Sequence, residues 1–96
     1  MLHEDRKELS KKTQDMKRAI DSLKEELEAT DWYNQRADAV HDPELKKILI
    51  HNANEEKEHA AMLMEWIRQN DPKFADEMKD YLFLKSKDIA GAEHEH

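Results

Sequence analysis

From Leu2 to Asp42 the chain holds neither proline nor glycine, and this unbroken run covers more than a third of its 96 residues. Ala, Leu, Met, Glu, Lys and Gln recur through it, the side chains that lose least freedom in a helix. Both prolines of the chain follow an aspartate, in Asp42-Pro43 and Asp71-Pro72. At a helix start an aspartate accepts from free backbone amides, and a proline fills a position whose amide needs no partner. This punctuation predicts one all-α domain spanning 1–96, with a long helix over 5–40, a second over 43–69 and a shorter third over 72–84. The tail, 85–96, loses periodicity and is expected to fray.

Met16, Ile20, Leu23, Leu27 and Thr30 recur at spacings of three and four, and Ala19, Glu26, Tyr33, Ala37 and Val40 continue the same broad face. The second segment repeats the pattern with Leu45, Ile48, Leu49, Asn52, Glu56, His59, Leu63 and Trp66. These are helical periods. Two long helices joined by a short turn pack antiparallel, which makes half of a four-helix bundle.

Composition says that the other half comes from elsewhere. Leu, Ile, Val and Phe make up only 17 of 96 residues, against 41% charged residues and a net charge of −7. That balance suits a disordered chain better than a self-sufficient core, yet helix-forming residues prevail. The two observations reconcile if another copy covers the apolar stripes, so a homo-oligomer is expected. No apolar run approaches the roughly 20 residues that span a bilayer, and Met1-Leu2-His3-Glu4-Asp5 is too charged for a secretory signal. The chain therefore reads as cytoplasmic, with no membrane partner. Acidic excess and the lack of a basic stripe argue against nucleic acid. With no cysteine, any metal must rest on carboxylates and imidazoles.

Three polar residues fall on the apolar stripes. Glu26 lies three residues beyond Leu23 and seven before Tyr33, and a carboxylate facing a core needs a compensating charge. Glu56 and His59 form a Glu-x-x-His pair, neighbours on one helix face. Ferritin-like two-metal bundles take a Glu from each of two helices and a Glu-x-x-His from each of the other two. This chain supplies one of each. Two copies about a two-fold axis would supply four carboxylates and two imidazoles, enough for two iron ions. The competing reading is a surface pair at Glu56 and His59, with Glu26 at the edge of its stripe.

The segments Glu25-Glu26-Leu27-Glu28-Ala29-Thr30-Asp31-Trp32-Tyr33-Asn34-Gln35-Arg36, His51-Asn52, Glu55-Glu56-Lys57-Glu58-His59-Ala60, Glu65-Trp66-Ile67-Arg68 and Tyr81-Leu82-Phe83 resemble the encapsulated ferritin family in order and spacing. The likeness runs from about residue 16 to Phe83. It implies a two-helix half-ferritin with a short third helix, whose paired chains build a di-iron ferroxidase centre within a ring-shaped decamer. In that family the ring passes oxidised iron to an encapsulin shell. By motif, Glu26, Glu56 and His59 resemble the ferroxidase ligands and Tyr33 the tyrosine beside them. Glu25 and Glu28, with Trp32 close by, resemble a metal-uptake site, and His51, Glu55 and Glu58 a weaker outer site. Shell-targeting members end in a short Gly- and Leu-containing docking peptide, which Lys85 to His96 lacks. A longer parent chain and a member working outside a shell are both compatible with that departure.

The residues and the resemblance together predict a ferroxidase that binds two Fe(II) between paired subunits, with Ca or Zn able to occupy the same ligands. Two other readings use the same residues: a non-catalytic helical assembly or adaptor protein in which they fix register, and a metal-stabilised dimer without redox chemistry. His94-Glu95-His96 could hold a stray transition metal. Apart from the resemblance, Glu25 and Glu28 read as solvated charges, and Trp32, Tyr33, Met62, Met64 and Trp66 as packing residues.

Overall fold

The structure, a computed structural model, describes residues 1–92. A 3-10 turn, Arg6–Glu8, precedes α1 (Lys11–Ala39), α2 (Pro43–Asn70) and α3 (Pro72–Tyr81), and all regular structure among the described residues is helical. The starts of α2 and α3 are capped by the residue type that the sequence announces. Asp42 accepts from the Glu44 amide at 3.1 Å and Asp71 from the Phe74 amide at 3.0 Å, each followed by proline in the first turn.

Helix boundaries differ from expectation at two ends. The first helix, expected from residue 5, starts at Lys11 because two caps compete there. Asp5 closes the 3-10 turn by accepting from Lys7, Leu9 is extended, and Ser10 accepts from the Thr13 amide at 3.1 Å to open α1 proper. The third helix, expected to reach residue 84, ends at Tyr81. Leu82 is extended, its amide donates to the Met78 carbonyl at 2.8 Å, and Phe83 takes the left-handed conformation with φ of 59°. That position after a helix end usually holds glycine, so the sequence carried no sign of the stop. As far as Ala92, the tail is also less frayed than expected. Gly91 donates to Asp88 at 3.2 Å, Ala92 donates to the Ile89 carbonyl at 3.1 Å, and Ala92 is completely buried. His94, Glu95 and His96 lie outside the described residues.

Antiparallel α1 and α2 meet along a seam of small residues. Ala19 and Ala37 from one helix and Ala53, Ala60 and Ile67 from the other are buried, with the last three spaced by seven. Alanine lets the backbones approach closely but removes little apolar surface from water, and among the described residues no large side chain is fully buried. The chain measures 49 × 42 × 19 Å, thin in one direction, like a single layer rather than the two packed layers of an ordinary domain.

The broad apolar faces read from sequence therefore divide. On α2 one seam meets α1, while Leu45, Asn52, His59 and Trp66 repeat at seven along a second, with Ile48, Glu55 and Met62 between them. Leu45, Ile48, Met62 and Trp66 are exposed there, Met62 by 59%, as are Ile20 and Leu27 on α1. Two such heptad lines are what a helix carries when it packs against two neighbours. No helix among the described residues is long and apolar enough to cross a membrane.

Candidate metal centre

Glu26 stands on the α1 seam, seven residues beyond the buried Ala19, and Glu56 stands on the α2 seam between Ala53 and Ala60. His59, one turn beyond Glu56, lies where the α2 seam passes into the open heptad line. The hairpin brings all three together. His59 Nδ1 lies 3.4 Å from Glu26 Oε2 and 3.5 Å from Glu56 Oε2, and one ligand atom from each residue falls within 4.8 Å of the others. Among the described residues this is the one group of three potential metal ligands.

Its polar atoms are poorly satisfied by each other. Separations of 3.4 and 3.5 Å are too long for good hydrogen bonds, and Glu26 Oε2 is buried without any hydrogen-bond partner. Such an atom normally finds a partner or has a functional explanation. A cation drawn to hard oxygen and imidazole donors suits the set, since both carboxylates and the ring nitrogen can give lone pairs to one point. Three ligands make half of an octahedral shell, and the imidazole, 44% exposed, opens toward the uncovered seam. Thr30 donates its hydroxyl to the Glu26 carbonyl at 2.8 Å, closing this turn of α1 above the site.

The other residues singled out from sequence lie apart from this group. Tyr33 is half-buried one heptad along α1, and its recorded contact is the Arg36 guanidinium, 5.6 Å from the ring centre, rather than a hydrogen bond to the cluster. Glu25 and Glu28 are exposed on the outer flank of α1, and Trp32, also exposed, lies 5.9 Å beneath the same guanidinium. His51 Nε2 is 2.9 Å from Glu55 Oε1 on α2, and both side chains are exposed within the single chain. Glu58 is exposed, and within one chain it does not join them as a third ligand. Sequence reasoning missed two features. Ala53, Ala60 and Ile67 mark the true α1–α2 seam by their spacing of seven. Arg36, quoted only as part of a motif, touches both aromatic rings because it sits three and four residues beyond them.

A family model described as EncFtn-like matches residues 1–85. The chain is 57% identical over 83 residues to the "Encapsulated ferritin-like protein" of Rhodospirillum rubrum, covering 86% of this chain and 59% of that protein. It is 48% identical over 93 residues to a "Ferritin-like protein" of Thermotoga maritima, covering 97% and 81% respectively. A Myxococcus xanthus relative, named as an encapsulin nanocompartment cargo protein, is 35% identical over 74 residues, 77% of this chain and 57% of that protein. The chain thus spans less than two thirds of the first and third of these relatives. A crystal structure of a Nitrosomonas europaea protein superposes with a TM-score of 0.87 at 61% identity, covering 91% of this chain and 96% of that one. With its all-helical hairpin, third short helix and a family match over most of its length, the chain belongs to the encapsulated ferritin-like family.

Proposed function

We propose that two copies of this chain pair across the open seam and join their Glu26, Glu56 and His59 into one centre that oxidises Fe(II) to Fe(III). The observation that carries this reading is the buried, unpartnered Glu26 Oε2 beside Glu56 and His59, on a hairpin whose second heptad line is uncovered. Three ligands per chain become six in the pair. Four carboxylates balance two ferrous ions, so both substrate ions can be held together without net charge in a partly dry site.

Holding two Fe(II) together matters because each gives one electron. A pair delivers two, which with two protons reduce one dioxygen to hydrogen peroxide and leave two Fe(III). Glu26 and Glu56 favour the harder ferric product, while His59 contributes a neutral donor that moderates the preference. Tyr33 would support the site from the next heptad, by hydrogen bonding or as an auxiliary electron donor. Glu25 and Glu28 beside Trp32 would gather cations on the approach, and His51, Glu55 and Glu58 would bind metal weakly outside. Family likeness supports assembly of pairs into a ring-shaped decamer. The Myxococcus xanthus relative's name, an encapsulin cargo protein, supports association with an encapsulin shell, to which the oxidised iron would pass in the cytoplasm.

Anaerobic loading with Fe(II) followed by air tests this reading. Ferric absorbance should develop rapidly, and Glu26→Ala, Glu56→Ala and His59→Ala should each abolish most of the fast phase. Wild-type initial rates in all three variants would remove the assignment. Binding of Ca or Zn with no oxygen consumption on iron loading would leave a metal-stabilised dimer.

A further inference from the structure

We propose that Arg36 is a positioning residue for Tyr33, fixing the direction of the phenol relative to the metal cluster; this rests on the ferroxidase reading above only for its effect on turnover. Its guanidinium carbon lies 5.6 Å from the Tyr33 ring centre and 5.9 Å from that of Trp32, within reach of a cation–π interaction with both. One planar cation spans two rings that leave the helix in different directions. Tyr33 lies on the α2-facing side and is half-buried, whereas Trp32 lies on the outer flank and is 49% exposed.

Among the arginines of the two long helices, Arg36 differs in what its guanidinium meets. Lys17 pairs with Asp21 at 2.8 Å and Arg18 with Asp15 at 2.7 Å, the ordinary helical pairs. On α2, Arg68 pairs with Glu65. Arg36, in a chain with 23 acidic against 16 basic residues, makes no ion pair among the described residues and lies over the two rings instead. Tyr33 makes no hydrogen bond among those residues to hold its phenol. The Arg36 contact is thus the polar restraint on its ring, added to the packing of a half-buried side chain, because a guanidinium resting on one face excludes the rotamers that would carry the ring through it.

Near-ultraviolet circular dichroism in the tyrosine band, taken as wild type minus Tyr33→Phe, isolates the asymmetry imposed on Tyr33. Arg36→Met, which keeps length and removes the cation, should abolish that difference, and Arg36→Lys should restore part of it. A Tyr33 signal unchanged in Arg36→Met overturns the proposal whether or not iron is oxidised. In the ferroxidase assay Arg36→Met should lower kcat about two- to five-fold, the range expected from an exposed cation–π contact, with little change in KM. In the Tyr33→Phe background the same substitution should have no further effect, since the two residues act as one unit. An equal loss in both backgrounds would mean that Arg36 acts without Tyr33 and would also overturn the proposal. A wild-type chain that shows the dichroic effect but oxidises no iron would sustain the positioning role and defeat the ferroxidase reading alone.

Discussion

Replacing Glu26 by Gln distinguishes a metal centre from a structural polar network, because the two assign opposite signs to the metal-free change. Without metal, two carboxylates converge on one imidazole nitrogen at 3.4 and 3.5 Å. That nitrogen can donate one proton at most, and Glu26 Oε2 is left buried and unpartnered. An unsatisfied buried polar atom costs about 1–3 kcal/mol. The Glu26 side chain is 24% exposed, so solvent screens part of this and about 1 kcal/mol is the appropriate end of the range. Gln removes the charge and adds an amide donor facing Glu56. Glu26→Gln should therefore be more stable than wild type by about 1 kcal/mol in chelator, about 4–8 °C in Tm for a chain of this size. With Fe(II) under anaerobic conditions at a hundred times Kd, wild type should gain about 2.7 kcal/mol and the variant less. The assay is thermal unfolding followed by helical circular dichroism at one fixed protein concentration, since self-association shifts apparent stability. If the residues serve only to fix register, the variant should instead lose stability in chelator, by as much as the roughly 3–5 kcal/mol of a broken buried charge pair. That loss, or an iron response equal to that of wild type, would refute the reasoning.

Ala53 is 2% exposed on the α1–α2 seam, so Ala53→Leu should force the helices apart and cost about 1–3 kcal/mol in urea unfolding; a neutral result would mean that the seam has room to spare. Glu65 accepts two bonds of 2.6 Å from Arg68 and one of 2.7 Å from Gln69, which together hold its carboxyl down to about 2. A depressed folded pKa contributes stability above the unfolded value that is lost as pH falls through the folded one. The small Tm difference between wild type and Glu65→Gln should hold steady above about pH 5 and vanish toward about pH 2, and a difference that grows on acidification would contradict the sign. Replacing Glu25 and Glu28 together by Ala should change the rate at which iron reaches the centre while leaving its metal content intact. Stopped-flow oxidation with metal analysis separates the two, and loss of bound iron would contradict an uptake role.

Helix class and order were legible because Asp42-Pro43 and Asp71-Pro72 are chemical start signals and the long stretches between contain no breaker. The stop after Tyr81 was not, since Phe83 adopts a left-handed conformation that sequence normally marks with glycine. Glu26, Glu56 and His59 stood out as charged residues on apolar stripes, and the hairpin brings them within reach of one another. Which neighbours they would meet was harder to read. A stripe about 100° wide does not say which edge faces the partner helix, so the periodicity groups Ile20 and Leu27 with Ala19 although they lie outside the seam. Tyr33 was placed beside the centre by resemblance alone. Two turns of helix separate it from Glu26, and a single chain gives no contact that spans them.

Native mass spectrometry combined with metal analysis tests directly whether two chains share one metal centre. Pairing and iron binding should be coupled, because the isolated chain carries half the ligands and the pair carries all of them. Adding Fe(II) anaerobically to metal-free protein should shift the chain toward larger assemblies that hold two tightly bound ions per two chains, and His59→Ala should weaken that shift. A chain that stays monomeric at saturating iron, or one that binds its full complement of iron as a monomer, would contradict the shared centre.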